Sequence, residues 1–421
     1  MHAIEKLLAA KAGKAIVHTG EIINCKVDLA GINDLYLQTT RSFFEMGGLD
    51  SRVHDPDKVV MFFDHYAPCA TIGQAENHKQ FRDFCRKQNI SHLMDINEGV
   101  CHQILADRGM VYPGEIVVVT DSHTTTHGAF GAFGTGVGAT DLAIILLTGK
   151  LWFMVPEIFK INLIGHLPKG VYAKDIILHI IGDVGADFGV YKAVEFAGPV
   201  LQKLSISERM CLCNMSTEMG CKTSYIQPDK ITMDYLERHV AGPYKIYHTD
   251  PDFHYACELT YDVSDLKPQI AAPASVDNVY DLSRYEGVPI NQAYLGSCTG
   301  GRLPDIAIAA SILQGKHIPA STRMIVVPAS KKVLQDAIAA GYIQTLIEAG
   351  VTLTAPGCAA CLGIHQGLLT AGETCISSTN RNFPGRMGHK DAQIYLASPA
   401  SVASSALNGC ITSPEPYLKE E

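Results

Sequence analysis

The sequence lacks the features that mark membrane, secreted and nucleic-acid-binding proteins. Its longest apolar stretch, residues 142–155, is interrupted by Lys150 and is shorter than the roughly 20 residues that cross a bilayer. Residues 1–15 carry four charged side chains and contain no apolar signal segment. The formal net charge is −9, from 34 basic and 43 acidic residues, so the basic surface of a non-specific nucleic-acid-binding protein is missing as well. We expect a soluble protein that binds neither membrane nor nucleic acid.

A disulfide framework is also missing, although cysteine is abundant. The chain has 13 cysteines, an odd number, scattered over 421 residues, whereas disulfide-stabilised domains are short and carry cysteines in even sets. A reducing compartment fits this pattern better, so we expect a cytoplasmic protein. Most of the thiols are expected to be ordinary core side chains, because free cysteine buries well, and a few to hold a metal or take part in catalysis.

Apolar β-branched runs recur along the chain, and most of them are followed by a helical pattern. This alternation predicts an α/β fold with largely parallel sheets, preceded by an amphipathic surface helix within residues 1–15. Strands are predicted at 59–63, 116–120, 159–163, 324–327, 351–354 and 393–396, and helices at 142–153, 173–181, 303–313, 333–348 and 399–407. Because 421 residues exceed a single compact core, we predict three domains, at 1–156, 157–285 and 286–421.

Reactive side chains follow three of the apolar runs in the last third of the chain. Cys298 follows one run, Cys358 and Cys361 follow a second, and Arg381 follows a third, with Arg386 close behind it. Open parallel sheets bind ligands beyond the carboxyl ends of their strands. The three loops are therefore expected to converge on one site.

Three converging thiols are compatible with two kinds of metal centre. A structural zinc requires four ligands, and His365 would complete a Cys₃His set. A [4Fe–4S] cluster held by three cysteines keeps one iron free of protein thiolate, and such an iron can bind substrate as a Lewis acid. A purely structural metal has no use for Arg381 and Arg386, whose forked guanidiniums match carboxylates, so the arginines favour the cluster.

A rival hypothesis comes from the segment around the first of these cysteines. Residues 296–300, Gly-Ser-Cys-Thr-Gly, have the spacing of a nucleophile elbow with cysteine in place of serine. A cysteine-dependent α/β hydrolase would then use His389 and Asp391. That hypothesis leaves Cys358, Cys361 and the arginines without a role, so the cluster is preferred.

Paired carboxylate and imidazole groups end two predicted strands of the first domain. Asp64 and His65 follow one strand, and Asp121 and His123 follow the other. A carboxylate beside a histidine orients the ring and sets its protonation, which suits acid–base catalysis. His102 is a further candidate in the same domain, although a structural core histidine is the ordinary interpretation there.

The second domain contributes a polar pair within an apolar, cysteine-rich segment. Asn214 and Glu218 are four residues apart and are predicted to share one face of a helix. Ser205 and Glu208 form a capping box for the start of that helix. A charged group on an otherwise apolar helix requires a partner, so Glu218 is a candidate site residue.

Together these segments resemble the aconitase superfamily, and most closely the large subunits of its two-chain hydro-lyases. Those enzymes act on isopropylmalate, methylmalate, dimethylmalate or homocitrate-type acids. The likeness spans nearly the whole chain, with motifs of all three domains in the family's order. It implies three α/β/α domains around one central [4Fe–4S] cluster, of which one iron is not ligated by protein.

The resemblance also assigns roles to residues of this chain. It implies that the cluster ligands are Cys298, Cys358 and Cys361. The implied acid–base and hydrogen-bonding residues are Asp64, His65, His102, Asp121, His123 and Glu218. The implied substrate contacts are Asn214, Asn380, Arg381 and Arg386. In the implied reaction, His123 or His102 protonates the leaving hydroxyl of a 2-hydroxy dicarboxylic acid, with isopropylmalate as the first candidate substrate and the other acids as alternatives.

Two departures from the family pattern stand out. Gly300 occupies the position where the family usually has asparagine, in Gly-Ser-Cys-Thr-Asn. The swivelling fourth domain of single-chain aconitases, which supplies a serine base and an arginine, has no counterpart before the chain ends at Glu421. Two-chain members carry it on a small subunit, so we expect a heterodimer or heterotetramer and no activity from this chain alone.

Overall fold

The computed structural model describes residues 1–239 and 243–418. Within these ranges the chain forms three successive α/β regions, each built on a sheet of mostly parallel strands. The predicted α/β class with largely parallel sheets is thereby confirmed. No helix in the described part of the chain has the length and apolar character that a membrane span requires.

The first region contains a parallel sheet and an antiparallel ribbon. Its strands are β1 (Ile22–Lys26), β2 (Leu29–Asn33), β3 (Val59–Phe62), β4 (His92–Met94), β5 (Ile116–Val119), β6 (Phe133–Gly136) and β7 (Lys150–Met154). Its helices are α1 (Ala3–Ala12), α2 (Gln38–Gly47), α3 (Ile72–Gln88), α4 (Cys101–Asp107) and α5 (Ala139–Thr148). In the sheet, the described strands run in the order β4-β3-β2-β5-β6, while β1 pairs with β7. Every residue of β3 and β5 is buried, as expected for strands covered on both faces.

Two elements of this region differ from the sequence-based prediction. The helix expected over 142–153 ends at Thr148, because Gly149 takes a left-handed conformation (φ 69°) and the following residues pair as β7. The N-terminal helix is less exposed than expected. Ile4, Leu7 and Leu8 are fully buried, since α1 packs into the core instead of lying on the surface.

The second region is a smaller parallel sheet with helices. Its strands are β8 (Ile158–Ile164), β9 (Ala193–Ala197), β10 (Thr223–Ile226) and β11 (Glu258–Asp262), and its helices are α6 (Ala173–Val184), α7 (Ile206–Met215) and α8 (Lys230–His239). The described strands follow the order β10-β9-β8-β11. The predicted capping box is confirmed: Ser205 Oγ accepts the Glu208 amide, and the Glu208 carboxylate accepts the Ser205 amide at 2.9 Å.

The third region carries the longest sheet of the described residues. Its strands are β12 (Gln269–Ala271), β13 (Val279–Asp281), β14 (Gln292–Leu295), β15 (Arg323–Val326), β16 (Thr352–Leu353), β17 (Thr374–Ser377) and β18 (Gln393–Ala397). Its helices are α9 (Ser297–Gly300), α10 (Leu303–Leu313), α11 (Lys331–Ala339), α12 (Tyr342–Glu348) and α13 (Pro399–Asn408). The helix expected over 333–348 is therefore two helices, separated by Gly341 at φ 79°. Strand order is β13-β12-β18-β17-β14-β15-β16, with antiparallel pairing only where β12 meets β13 and β18.

The pairing of β12 and β13 bears on how the chain divides. Both strands lie before residue 286 but belong to the third sheet, so sheet membership changes near residue 268. The division at 1–156, 157–285 and 286–421 stays a prediction. Short 3₁₀ segments complete the described structure; they are Pro56–Lys58, Ser122–Phe130, Pro199–Lys203, Ser216–Met219, Leu282–Tyr285, Ala359–Leu362 and Glu415–Tyr417.

One apolar core continues through all three regions. It includes Phe62 and Val117 from the first sheet, Cys213 from α7, and Cys298 and Cys361 from the third region. The 3₁₀ segment Ser122–Phe130 approaches β10 so closely that a Cβ on Gly128 would lie 2.2 Å from the Ser224 carbonyl oxygen. The three regions thus meet where the predicted site residues cluster.

Candidate active site

A cavity of about 290 Å³ lies where the three regions meet. Its wall includes ten of the predicted site residues: His65, His102, Asp121, His123, Cys298, Cys358, Cys361, Asn380, Arg381 and Arg386. Asp64, Asn214 and Glu218, the other predicted site residues, hydrogen-bond to members of that wall. The structure therefore brings together the residues that the sequence placed on separate loops.

Strand order explains why the loops of the third region converge. Cys298 follows β14, Cys358 and Cys361 follow β16, and Asn380 and Arg381 follow β17. These strands are parallel and belong to the run β17-β14-β15-β16, so their carboxyl ends share one edge. This is the edge at which open parallel sheets bind ligands.

The thiols are surrounded by hydrogen-bonding side chains. Cys298 Sγ lies 3.1 Å from Asn214 Nδ2, and Asn380 Oδ1 lies 3.9 Å from Cys298 Sγ and 4.0 Å from Cys361 Sγ. The hydrogen bond from Cys358 holds the pKa of the Cys361 thiol well below its ordinary value, and the Arg386 charge acts in the same direction. Burial raises the pKa of Cys298, and the hydrogen bond to Cys361 together with burial raises that of Cys358, so of the three thiols only Cys361 is favoured as the metal-binding thiolate.

The thiol positions and His365 bear on the choice between a cluster and a single zinc ion. A zinc ion with bonds of ~2.3 Å brings its sulfur ligands within about 4 Å of one another. Among the described residues, the Cys298, Cys358 and Cys361 thiols are not a group whose ligand atoms all lie within 4.8 Å. The proposed fourth zinc ligand, His365, is instead directed at the His65 carbonyl oxygen, 3.0 Å from its Nε2. With His365 engaged elsewhere, the described residues offer no fourth ligand for a Cys₃His zinc at this position, and the three thiols remain candidate ligands of an iron–sulfur cluster.

The hydrolase hypothesis finds no support in the arrangement. His389 and Asp391 have largely exposed side chains, 3.6 Å apart, and are not part of the cavity wall. Within the described ranges, the hydrogen-bonding neighbours of Cys298 are Asn214, Ser297 and Asn380, so no imidazole there is placed to take its proton.

The acid–base residues form one network around Asp121. Its Oδ1 accepts the His123 amide at 2.8 Å and lies 3.1 Å from His102 Nε2, while its Oδ2 lies 3.6 Å from His65 Nε2. Burial favours the neutral carboxyl, but the hydrogen bonds from His102 and His123 hold the pKa of Asp121 well below its usual range. Asp121 is therefore a partly buried anion, with 16% of its side chain exposed, that joins three histidines.

The surroundings of two of those histidines raise their pKa and so favour the charged form. Burial disfavours charge on His65, yet the Asp64 carboxylate, 2.7 Å from His65 Nδ1, and the nearby Asp34 hold the pKa of His65 well above its ordinary value. Burial and Arg381 likewise oppose a charge on His123, but Asp121 and Glu218 raise the pKa of His123. His123 Nε2 is 2.7 Å from Glu218 Oε1.

The two arginines face the cavity in different ways. Arg381 Nε donates to both oxygens of Glu218, at 2.8 and 3.1 Å, and its Nη2 donates to Ser122 Oγ at 3.0 Å. Arg386 lies 3.8 Å from Cys361 Sγ through Nη2, while its Nε is buried without a hydrogen-bond partner among the described residues. A buried guanidinium with an unused donor favours an anionic ligand at this point.

Asn214 and Glu218 do not share one helix, contrary to prediction. The α7 helix ends at Met215, and Glu218 lies on the 3₁₀ segment Ser216–Met219. Ser216 Oγ bonds back to the Cys213 carbonyl at 2.7 Å, and Gly220 at φ 83° ends the segment. The tighter turn aims Glu218 at His123 and Arg381, while Asn214 points at Cys298.

Three positioning residues escaped the sequence-based prediction. Asp34 accepts the amides of His65 and Tyr66, at 3.0 and 2.9 Å, and follows the short strand β2 just as Asp64 follows β3. The fully buried Lys174 donates to the Thr379 carbonyl at 2.6 Å, and the buried Ser378 accepts the Gly296 amide at 3.0 Å. An acidic residue after an apolar run was the available signal for Asp34; nothing in the sequence pattern distinguishes Lys174 or Ser378.

Ser378 also accounts for the glycine beside the first thiol. A Cβ on Gly300 would lie 2.3 Å from Ser378 Oγ and 2.4 Å from Ser378 Cβ. The space that a side chain at position 300 would need is therefore filled from the end of β17. Gly300 and Ser378 are a complementary pair in this chain.

The sequence of the chain is similar to those of known proteins over nearly its whole length. A profile of the Aconitase family (aconitate hydratase) matches residues 49–286 and 283–409. The chain is 46% identical over 414 residues to 3-isopropylmalate dehydratase large subunit 1 of Methanopyrus kandleri, covering 98% of this chain and 99% of that protein. Two proteins of Methanothermobacter thermautotrophicus are also similar to the chain. A probable 3-isopropylmalate dehydratase large subunit is 48% identical over 410 residues, which cover 97% of this chain and 98% of that protein. A probable methanogen homoaconitase large subunit is 46% identical over 419 residues, which cover 99% of this chain and 98% of that protein.

A solved structure supports the fold. Aconitase X of Thermococcus kodakaraensis, in its holo form, superposes with a TM-score of 0.51 at 12% identity, covering 93% of both chains. At that identity the likeness concerns the architecture alone.

Replacing Cys358 by alanine is expected to abolish cluster assembly, because two thiols cannot hold the cluster. Iron and sulfide per chain, with visible absorbance, are measured after anaerobic reconstitution. Cys375→Ala is the matched control: Cys375 is fully buried on β17 but outside the cavity wall, so that variant should retain the cluster. Wild-type iron content in Cys358→Ala would contradict the ligand assignment.

Introducing asparagine at position 300 is expected to lower the free energy of unfolding by about 1–3 kcal/mol, because its side chain overlaps Ser378. Urea unfolding is compared for Gly300→Asn, Ser378→Gly and the double variant. The double variant should cost less than the sum of the single changes, since glycine at 378 makes room for the new side chain. Strictly additive costs would show that the two positions do not compete for space.

Proposed function

This chain belongs to the aconitase family, and we propose that it is the large subunit of a two-chain [4Fe–4S] hydro-lyase acting on an alkylmalate, with 3-isopropylmalate as substrate. The observation that carries the proposal is that one cavity wall combines three thiols, a carboxylate–imidazole network and two guanidiniums. The relatives named 3-isopropylmalate dehydratase large subunit support the substrate.

The cavity wall bears on the choice of acid. Besides Arg381 and Arg386, it presents the apolar side chains Leu35, Val100 and Leu362. Two carboxylates and one branched alkyl group match this wall better than the three carboxylates of a homocitrate-type acid. That acid is the second candidate, because relatives named homoaconitase large subunit are equally similar in sequence.

Cys298, Cys358 and Cys361 would hold the cluster, which when bound supplies a Lewis-acidic iron without protein thiolate for the substrate hydroxyl and its adjacent carboxylate. Asn380 lies between the thiols and orients them. Arg386, with its unused buried Nε donor, is proposed to bind a substrate carboxylate. Arg381, which also lines the cavity and donates to Glu218, is proposed as the second carboxylate contact.

His65 is the proposed proton donor to the leaving hydroxyl. Its Nδ1 is held by Asp64 at 2.7 Å, and its Nε2 faces the cavity, 3.6 Å from Asp121. His102 and His123 are less available, because their Nε2 atoms already lie 3.1 Å from Asp121 and 2.7 Å from Glu218. His123 and His102, the proton donors that the sequence resemblance implies, are the alternatives to His65.

A base from the small subunit would take the proton from the neighbouring carbon. The hydroxyl then leaves as water with the His65 proton, and a carbon–carbon double bond forms between the two carbons. Return of water in the opposite sense gives the isomeric hydroxy acid. The need for a second chain is supported by the relatives, which are named large subunits. A cytoplasmic location is supported by the thirteen unpaired thiols.

The cluster-loaded chain is expected to turn over nothing alone and to become active when a small subunit is added. Formation of the unsaturated diacid is followed by ultraviolet absorbance. For the complex, kcat/KM for 3-isopropylmalate should exceed that for a homocitrate-type acid by about tenfold or more. His65→Asn should lower kcat by roughly 10²-fold or more, and the matched surface variant His389→Asn should not change it.

Turnover by the chain without a partner would contradict the two-chain proposal. A higher kcat/KM for the homocitrate-type acid would contradict 3-isopropylmalate as the substrate. An unchanged kcat in His65→Asn would contradict the assignment of His65 as the proton donor.

A further inference from the structure

Three side chains of the first region form a hydrogen-bonded chain outside the cavity wall. Cys69 Sγ lies 3.1 Å from His78 Nδ1, and His78 Nε2 lies 2.9 Å from Asp34 Oδ2. Cys69 belongs to the loop before α3, His78 to α3 itself, and Asp34 to the end of β2. The order thiol, imidazole, carboxylate is the one found where cysteine acts as a nucleophile.

The carboxylate fixes which ring nitrogen of His78 carries a proton. Asp34 is fully buried, and although burial opposes its charge, hydrogen bonds from His65 and His78 hold the pKa of Asp34 below its ordinary value. An ionised Asp34 can only accept, so His78 Nε2 donates, and in the neutral form of the ring Nδ1 keeps a lone pair. The ring is buried and stacked on Phe63, with centroids 3.9 Å apart, so that lone pair stays directed at Cys69.

Partial exposure to solvent distinguishes Cys69 from most of the other cysteines. Ten of the thirteen are buried, and only Cys69, Cys257 and Cys410 are partly exposed. Among the hydrogen bonds of the described residues, neither Cys257 nor Cys410 has a histidine partner, and Cys410 lies 3.7 Å from the Thr412 hydroxyl. Burial and the Asp34 charge raise the pKa of the Cys69 thiol, so it needs a base in order to react.

We propose that Cys69, His78 and Asp34 form a modification site for soft carbon electrophiles. His78 Nδ1 takes the thiol proton while the sulfur forms a bond to the electrophilic carbon. The leaving group departs with its electron pair, and the imidazolium then returns the proton to water. With iodoacetamide, a sulfur–carbon bond forms, the carbon–iodine bond breaks and iodide leaves.

The same carboxylate connects this site to the acid–base loop. Asp34 accepts the amides of His65 and Tyr66 at 3.0 and 2.9 Å, in addition to His78. A bulky group on Cys69 displaces His78 and loosens the carboxylate that positions His65. Alkylation of Cys69 therefore slows turnover, a consequence that rests on the proposed function.

The site is tested by the rates at which individual cysteines are labelled. The full, cluster-loaded chain is treated with limiting iodoacetamide without oxygen, and labelling is followed by peptide mass spectrometry. Cys69 should react about tenfold or more faster than Cys257 and Cys410, the low end of what a positioned base contributes. His78→Gln should remove this advantage and leave Cys257 and Cys410 unchanged, which also reports that the variant is folded.

Equal labelling rates at the three partly exposed cysteines of the wild-type chain would overturn the proposed site. This comparison decides even if His78→Gln does not fold. A Cys69 labelling rate that is the same in His78→Gln as in wild type would also overturn the site.

The connection to the active site is tested separately. The labelled chain is freed of reagent and combined with small subunit, and wild type should lose about tenfold or more of its activity. Cys69→Ser given the same treatment should lose none. Full activity after complete labelling at Cys69 would overturn the connection. Failure of the proposed function is distinguishable, since unlabelled chain would then be inactive while the labelling rates are still measured.

Discussion

Asp121 accepts the His123 amide, lies within hydrogen-bonding distance of His102 and is 3.6 Å from His65, in a cavity where charge is costly. A buried anion is tolerated only when it is paired and hydrogen-bonded. The pairing continues through His123 to Glu218 and then to Arg381. This alternation of charges runs from the first region through the second to the third. The same ion pairs therefore hold the three regions together and set the protonation of the histidines, so neither can change without the other.

The side of the cavity that carries the three thiols depends on a different set of contacts. The loops after β14, β16 and β17 carry the thiols and Asn380, and buried groups behind them hold their backbones. Lys174 binds the carbonyl before Asn380, and Ser378 fills the space against Gly300. A change in these supporting residues would move the thiols, although none of the supporting residues is itself a proposed cluster ligand.

Much of this site could be predicted because its residues follow apolar runs. Parallel strands place their carboxyl ends on one edge, so the sequence alone predicts that Cys298, Cys358 and Arg381 lie near one another. Charge pairing across regions could not be read from the sequence. No local sequence pattern indicates that Glu218 contacts His123. Nor does one indicate that Arg381 binds Glu218 while Arg386 keeps a buried Nε without a partner among the described residues.

The failures have physical causes as well. β2 is short and contains Gly31, so its apolar signal was weak and Asp34 was missed. Lys174 lies in the first turn of α6, where a lysine is ordinarily solvated, yet here it is buried against backbone carbonyls. The predicted helices extend past the true helix ends near Gly149 and Gly341, because an apolar pattern continues beyond each glycine.

The central claim is that three cysteines of this chain hold a four-iron cluster and leave one iron to the substrate. Mössbauer spectroscopy of the complex loaded with iron-57, recorded with and without 3-isopropylmalate, tests it most directly. The signal of one iron in four should change when the substrate binds, while the signals of the other three should not. Four irons that all remain unaffected would contradict it.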